Sequence, residues 1–200
     1  MIMANKAKEK NKSKGRAKKR RFTPLNELSP SAEDGLYNVV IETPKGSPNK
    51  LGYDPELGTF KLNAVMPQGS SFPFDFGFIP GTIGDDGDPL DVLVLMDYPL
   101  TPGTIVEARL IGIISAEQTE EDGEREKNDR IIAVSPESTL YNHARELSDI
   151  PEEVVDQVER FFVNYNEQRG KKFEPDGQLG ADRAEKAVSR ARKKFKRQAG

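Results

Sequence analysis

The sequence contains no cysteine and a single histidine among its 200 residues. Without cysteine the fold can contain neither a disulfide nor a thiolate metal site, which suits the reducing cytoplasm where we expect the protein. One histidine is too few for the clusters that typically hold catalytic zinc, so we expect His143 to be an ordinary surface or helix residue. No run approaches the roughly 18 apolar residues of a membrane span. No apolar segment follows the basic N-terminus as a signal peptide would require.

Charge is distributed very unevenly along the chain. The net charge is −3, but residues 1–21 contribute +9 and residues 181–197 contribute +6, which leaves −18 on the remaining body. An acidic body attracts cations and repels nucleic acid. We predict a basic, disordered tail and linker over residues 1–36 and one domain over residues 37–200. The tail is either simply solvated or a loose binder of RNA or another polyanion.

Short apolar runs that are rich in β-branched residues predict strands through the first two thirds of the domain. The predicted strands cover residues 37–42, 58–66, 91–96, 104–115 and 130–134. Residues 43–49 have turn chemistry, and residues 120–129 form an acidic, polar loop.

Helical patterns come late in the chain. Asp149 and Glu152 have the spacing of a capping box and predict a helix start, while Gly170 is a predicted stop. Apolar residues recur on one face of this helix: Val154, Val155, Val158, Phe161, Phe162 and Tyr165. A second helix is predicted over residues 181–196, with basic residues opposite its apolar face. Strands followed by helices indicate an α+β, mainly β, protein whose strands form a twisted sheet or a small barrel.

An acidic segment, Asp-Gly-Asp-Pro-Leu-Asp at residues 86–91, stands directly before an apolar strand. In an extended segment Asp86 and Asp88 project to the same side, and Asp91 lies at the entry of the strand. Three neighbouring carboxylates repel one another unless a cation lies between them. Hard oxygen ligands suit Mg²⁺, Mn²⁺ or Ca²⁺, but the proline and leucine interrupt the spacing of an EF-hand loop. The alternative is an acidic turn whose carboxylates cap backbone amides.

The acidic segment has two companions upstream. Residues 37–47 read Tyr-Asn-Val-Val-Ile-Glu-Thr-Pro-Lys-Gly-Ser, and residues 72–80 read Phe-Pro-Phe-Asp-Phe-Gly-Phe-Ile-Pro. With residues 86–94 they resemble family I soluble inorganic pyrophosphatases, in order and with similar gaps. The resemblance covers about residues 37–173 and omits the basic tail.

This resemblance implies a fold and an activity. The fold is a small closed five-stranded, OB-like β-barrel with flanking C-terminal helices. The activity is hydrolysis of pyrophosphate to two phosphates with several Mg²⁺ ions, and Mn²⁺ is a possible substitute. Bacterial members commonly form hexamers, so the resemblance implies a homo-oligomer, with no membrane partner.

The resemblance also assigns roles to the acidic residues. Asp86 and Asp91 are expected to bind metal, and Asp88 is expected to be the general base beside a water that bridges two metals. Glu42 matches an early carboxylate that acts on metal through water.

A further metal ligand falls in the predicted acidic loop. Glu120 resembles the family's next carboxylate ligand. The usual aspartate partner aligns with Asn128, so either Asn128 or the neighbouring Asp129 must serve, because this loop is longer than in the family.

On the substrate side, Lys50, Arg130 and Tyr165 fall on phosphate-contacting positions, and Lys45 or Arg169 can add charge. Arg130 replaces a lysine. The positive charge is kept, but a planar guanidinium that can donate two parallel hydrogen bonds takes the place of a compact ammonium group. From the residues alone, Tyr165 is equally a core residue of its helix, and Lys50 a solvated turn residue.

The same side departs from the family pattern at five positions. Gly52 stands in place of a glutamate, Ala64 of an arginine and Asn166 of a lysine, while Phe72 and Phe76 stand in place of tyrosines. These changes remove positive charge and hydrogen bonds from the phosphate side.

Three hypotheses follow. The first is an inorganic diphosphatase, either on pyrophosphate or, as a weaker enzyme, on another phosphoanhydride. The second is a pyrophosphatase-like protein that binds metal and a phosphorylated ligand without turnover. The third is a nucleic-acid-binding module, against which the acidic body argues, since only the basic tails could contribute.

Overall fold

A computed structural model describes residues 23–198, so the predicted basic tail over residues 1–21 lies outside the described residues. The strands are β1 (Tyr37–Thr43), β2 (Asn49–Asp54), β3 (Thr59–Val65), β4 (Asp75–Ile79), β5 (Leu90–Leu95), β6 (Ile105–Thr119), β7 (Arg125–Lys127), β8 (Arg130–Val134) and β9 (Lys172–Gly180). The helices are α1 (Glu152–Glu167) and α2 (Ala181–Gln198). Single 3₁₀ turns occur at Leu25–Glu27 and Leu147–Asp149. No helix within residues 23–198 is both long enough and apolar enough to cross a membrane.

Five strands close into a ring in the order β1, β4, β5, β8 and β6, because β6 pairs back onto β1. Only β5 and β8 are parallel neighbours within this ring; the other pairings are antiparallel. The long strand β6 extends beyond the ring and pairs there with β7 and β9. Strands β2 and β3 form a separate hairpin. The ring and the two C-terminal helices confirm the expected α+β, mainly β, fold.

The ring strands bury both of their faces, which explains their continuous apolar runs. In β5, Val92 and Val94 join a core cluster that includes α2 residues, while Leu93 and Leu95 join a second cluster with α1. This alternation is the period of two that a strand imposes on its side chains. Burial of each such side chain contributes about 1.5–3 kcal/mol. The two helices therefore cover opposite faces of the sheet, and the apolar faces predicted for them are the ones that pack.

Four strands differ from the sequence-based prediction. The patterns predict no strand over β2, β4 or β9, and β7 forms inside the segment predicted to be a loop. β4 carries a glycine and follows a proline, yet all five of its residues are buried between β1 and β5. β9 contains Pro175 and two glycines but pairs with β6 along its whole length. In both cases the partner strands, and not local propensity, decide the conformation.

The predicted start of the first helix is also wrong in its mechanism. Asp149 does form a capping box, but with Glu146 around the 3₁₀ turn that precedes the helix. The helix itself begins at Glu152 after Pro151, without a side-chain cap. Pro151 is the N-cap residue, with φ −52° and ψ 132°, and a proline has no side-chain oxygen that could cap the first amides of the helix.

Candidate active site

The aspartate segment forms a tight turn that leads into β5. The Asp88 amide donates to Asp86 Oδ1 at 3.0 Å, and the Gly84 amide donates to the Asp88 carbonyl at 2.6 Å. Gly87 adopts a φ of 93°, a backbone conformation that costs free energy for any residue with a side chain. Asp91 is the second residue of β5. The Asp86 carboxylate thus caps a backbone amide as in an ordinary acidic turn, Asp91 pairs with Arg130, and Asp88 forms no ion pair within residues 23–198.

A cleft of about 330 Å³ opens between this turn and the β2–β3 hairpin, and we call it the hairpin cleft. It brings together four of the predicted site residues, Glu42, Lys50, Asp88 and Asp91. Glu42 comes from β1 and Lys50 from the following strand β2, whereas Asp91 comes from β5, which lies much later in the chain. This convergence of two acidic motifs and a lysine is what the resemblance predicts for a phosphoanhydride site.

Glu42 has the most perturbed environment in the hairpin cleft. Its Oε1 accepts a hydrogen bond from the Tyr53 amide at 2.7 Å. Burial raises the pKa of Glu42 to about 7, with further increases from the negative charges of Asp91 and Asp88, while Lys50 opposes the shift. Among residues 23–198, the ion pairs with lysine or arginine do not include Glu42, Asp86 or Asp88. The cleft therefore gathers negative charge that its own cations do not neutralise.

Lys50 is held over two aromatic rings. Its Nζ lies 5.5 Å from the ring centroids of both Phe76 and Tyr165. Tyr165 is 9% exposed and stacks on Phe161 with an interplanar angle of 10°. Tyr165 is thus largely a core residue that reaches the cleft through the Lys50 ammonium. The rings attract the cation and limit its rotamers, so Lys50 is better ordered than a typical surface lysine.

A second cavity, the loop cavity, lies between the aspartate turn, residues 127–131 and α2. Its volume is about 70 Å³, and its lining includes Asp86, Asp91, Asn128, Asp129 and Arg130. Asp91 lines both cavities and so separates them. Burial raises the pKa of Asp86, and the charges of Asp88 and Asp91 add to this effect.

Arg130 is the buried counter-ion of Asp91. Its Nη1 lies 2.8 Å from Asp91 Oδ2, and the side chain is only 7% exposed. The same nitrogen also donates to the Asn128 side-chain carbonyl. The guanidinium packs against Phe162 and Phe173, at 4.8 and 5.5 Å from their ring centroids. Arg130 was expected to bind phosphate, and in this conformation it is bound instead to a predicted metal ligand.

The predicted outer metal ligands also have partners within the protein. Glu120 Oε2 lies 2.5 Å from Lys171 Nζ, and this hydrogen bond is the largest cause that lowers the pKa of Glu120. Asp129 Oδ2 lies 3.4 Å from Lys127 Nζ, and its Oδ1 accepts from a backbone amide of β6. Asn128 donates to the Gln118 side-chain oxygen at 2.9 Å. Lysines and amides thus satisfy this group of residues.

Three polar residues in or near the two cavities escaped the sequence-based prediction, and two of them line the hairpin cleft. Glu126 lies on β7, where burial and the negative charges of Glu120 and Asp86 raise its pKa. Asn26 and Asn63 line the hairpin cleft. The Asn63 amide fills the space beside Gly52, since any side chain at position 52 would overlap it. Glu126 could have been found from the run of acids around it, but no local pattern marks the two asparagines.

The donor set of the hairpin cleft fits a divalent metal ion. Burial and the charges of Asp91 and Asp88 raise the pKa of Glu42, and neither Glu42 nor Asp88 forms an ion pair within residues 23–198. Such carboxylates are hard oxygen ligands for a cation such as Mg²⁺. Within residues 23–198, no three acidic or histidine side chains already stand at the spacing of a metal-ligand cluster. The cleft therefore has the negative charge and the oxygen ligands that a divalent ion needs, but its carboxylates would have to move closer together to bind the ion.

Comparison with known proteins gives one consistent result. Residues 39–196 match the family model described as inorganic pyrophosphatase. Inorganic pyrophosphatase from Thermus thermophilus is 40% identical over 149 residues, which cover 74% of this chain and 80% of the relative. The Haloferax volcanii enzyme of the same name is 37% identical over 82% of this chain and 90% of its own length. The crystal structure of the Thermus thermophilus protein superposes with a TM-score of 0.79, covering 87% of this chain and 99% of that one at 36% identity.

Proposed function

The chain belongs to the inorganic pyrophosphatase family, and from this premise we propose that it hydrolyses pyrophosphate to two phosphates in the hairpin cleft. It is an inorganic diphosphatase that acts with a divalent metal ion. The observation that supports this cleft is the convergence of Glu42, Lys50, Asp88 and Asp91 on one 330 Å³ space. The cleft combines two acids without ion pairs among the described residues, Glu42 and Asp88, with the cation of Lys50. Phosphoryl transfer needs a site for metal and a cation beside the phosphate, and this arrangement supports both.

Mg²⁺ is the proposed metal, with Mn²⁺ as a substitute. When bound, the ion polarises phosphoryl oxygens and lowers the pKa of water. Asp86 and Asp91 would hold it directly, and Glu42 would act through a water molecule. Glu120 and Asp129 are proposed as further ligands, and each would first have to release its lysine partner.

The side chains of the cleft supply the remaining roles. Asp88 takes a proton from the attacking water, because it faces the cleft and has no ion-pair partner within the described part of the chain. Lys50 binds phosphoryl oxygens and is kept in place by its two aromatic neighbours. Arg130 and Tyr165 are proposed to support the phosphate side, Arg130 through its bond to Asp91 and Tyr165 through its contact with Lys50.

The experiment that tests this function is phosphate release from pyrophosphate in the presence of Mg²⁺. Loss of a general base typically costs about 10²–10⁴-fold, so Asp88→Asn should lower kcat by that order. Asp85→Asn is the matched control, since it removes one charge from the neighbouring exposed position. Wild-type protein that releases no phosphate with any divalent metal would refute the hydrolase. A fully active Asp88→Asn variant would refute the role of Asp88 alone.

The oligomeric state, the cellular location, the domain boundary and the role of the basic tails stay predictions. A homo-oligomer, by resemblance a hexamer, would bury some of the large exposed apolar side chains, which include Leu62, Val65, Tyr98 and Leu140. A cytoplasmic location and a domain boundary at residue 37 are proposed on the sequence grounds given above. Nucleic acid remains a possible partner of the basic tails only.

A further inference from the structure

The segment at residues 23–31 lies before the part of the chain that matches the family model, yet it packs against the hairpin cleft. The Leu25 amide donates to the Tyr53 hydroxyl at 3.2 Å, and the Gly81 amide donates to the Asn26 carbonyl at 2.8 Å. These bonds fix the segment to β2 and to the loop that leads to the aspartate turn. The segment is therefore a part of the cleft wall.

Gly81 shows how closely this segment approaches. Its φ is 62°, and a Cβ at this position would lie 2.8 Å from the Leu28 carbonyl oxygen and 3.0 Å from Pro30 Cδ. Glycine removes both conflicts, because it has no side chain and adopts positive φ freely. The backbone of the cleft is thus shaped to receive residues 23–31.

Asn26 is the residue of this segment that lines the cleft, together with Glu42, Lys50, Asn63 and Asp88. Its Oδ1 atom is buried and has no hydrogen-bond partner among the described residues. Because no described protein partner fixes Oδ1, the amide can adopt either of its two orientations. Its Nδ2 donor can therefore face the cleft that Asn26 lines.

We propose that Asn26 is a substrate-contacting residue whose Nδ2 donates a hydrogen bond to a phosphoryl oxygen of pyrophosphate. This inference rests on the proposed function. Pyrophosphate oxygens are acceptors, and Lys50 is the only lysine or arginine of the described chain that lines this cleft. A neutral amide adds donors beside that lysine without adding charge. Because the Asn26 backbone, and not its side chain, holds the segment to Gly81, a side-chain substitution leaves that anchor in place.

The test compares Asn26→Leu, Asn26→Asp and a control, Glu27→Gln, which changes the exposed neighbour on the same 3₁₀ turn. Loss of a hydrogen bond to a charged ligand should raise the KM for magnesium pyrophosphate about tenfold in Asn26→Leu, with kcat nearly unchanged. Asn26→Asp should raise KM further, because a carboxylate repels phosphate. Glu27→Gln should behave as wild type. Circular dichroism melts check that each variant is folded.

Two outcomes overturn the inference while leaving the hydrolase intact. One is an Asn26→Leu variant with wild-type KM. The other is an Asn26→Asp variant that needs less Mg²⁺ and binds pyrophosphate no more weakly, since the residue would then face the cation. If wild type does not hydrolyse pyrophosphate, the proposed function fails separately. Calorimetric binding of Mg²⁺-imidodiphosphate then decides: weaker binding by Asn26→Leu supports the contact, and equal binding refutes it.

Discussion

The two cavities that meet at Asp91 differ in the source of their positive charge. Around the loop cavity the protein supplies its own cations: Arg130 pairs with Asp91, and Lys127 pairs with Asp129. In the hairpin cleft Glu42 and Asp88 form no ion pair with a described lysine or arginine. The protein thus neutralises most of the loop cavity, where Asp86 is the acid without an ion pair among the described residues, and the hairpin cleft requires a cation from solution.

This difference separates stability from function. A buried, paired charge holds its neighbours in one arrangement. Its removal leaves the partner charge uncompensated and lowers the free energy of unfolding. Carboxylates without counter-ions cost free energy in the empty protein and become favourable only with a cation. Substitution of the cations that are paired around the loop cavity, Arg130 above all, should therefore act mainly on the free energy of unfolding. Substitutions in the hairpin cleft should act mainly on metal and substrate.

The largest expected effect is that of Arg130→Met. It leaves Asp91 and Asn128 without their donor and should lower the free energy of unfolding by about 3–5 kcal/mol, as for other broken buried pairs. Urea denaturation of the metal-free protein measures this. Arg130→Lys is the control: it keeps the positive charge but loses the planar guanidinium that can donate several hydrogen bonds at once. Its decrease in the free energy of unfolding should be smaller than that of Arg130→Met. If Arg130→Met is as stable as wild type but has a raised KM, Arg130 belongs functionally to the phosphate side and the comparison fails.

The next effect concerns Glu42 and pH in the metal-free protein. Its folded pKa of about 7 lies above its ordinary value of 4.5, so the folded state binds the proton more tightly. The free energy of unfolding should fall as pH rises from about 4.5 through about 7, by about 3 kcal/mol in total. Thermal unfolding in EDTA at several pH values measures this dependence.

Glu42→Gln, which mimics the protonated acid, should remove most of this pH dependence and be the more stable protein at pH 8. Mg²⁺ should restore stability to wild type at pH 8, because a cation replaces the proton. If the wild type and Glu42→Gln show the same dependence of unfolding on pH in EDTA, ionisation of Glu42 does not destabilise the metal-free protein, and this prediction is wrong.

The sequence predicts the parts of this comparison that are local. Val92 to Val94 and residues 130–134 read as buried strands because both faces of the ring are apolar. The Asp-Gly-Asp-Pro-Leu-Asp signature predicts the acidic turn and its metal. The closure of five strands into a ring and the place of Glu42 beside Asp91 follow from long-range pairing. Only the resemblance implied a closed five-stranded fold and a metal-related role for Glu42, and nothing predicted the order of the strands.

What the sequence does not predict are contacts between residues far apart. Lys171 and Glu120 are separated by 51 positions, and nothing near either indicates their pairing. Asn26 lies outside residues 39–196, which the family model matches, and its proposed role depends on a backbone bond to Gly81. Asp149 shows the converse: its capping spacing is correct, but the partner is Glu146 in the preceding turn. Local patterns identify capable residues, and tertiary structure chooses their partners.

The smallest effect, and the sharpest test of the comparison, is that of Lys50→Met. This lysine lines the hairpin cleft and has no ion pair within residues 23–198, so its loss should raise KM for pyrophosphate about tenfold, or about 1.4 kcal/mol, with the free energy of unfolding nearly unchanged. Lys61→Met is the matched control: Lys61 lies on the same hairpin, is exposed and pairs with Asp54 at 3.1 Å. It should alter neither quantity, because exposed pairs contribute little. If both substitutions changed KM equally, the overall positive charge of the protein, and not the Lys50 ammonium over Phe76, would attract the substrate. Lys50 would then not be a specific substrate-binding residue of the hairpin cleft.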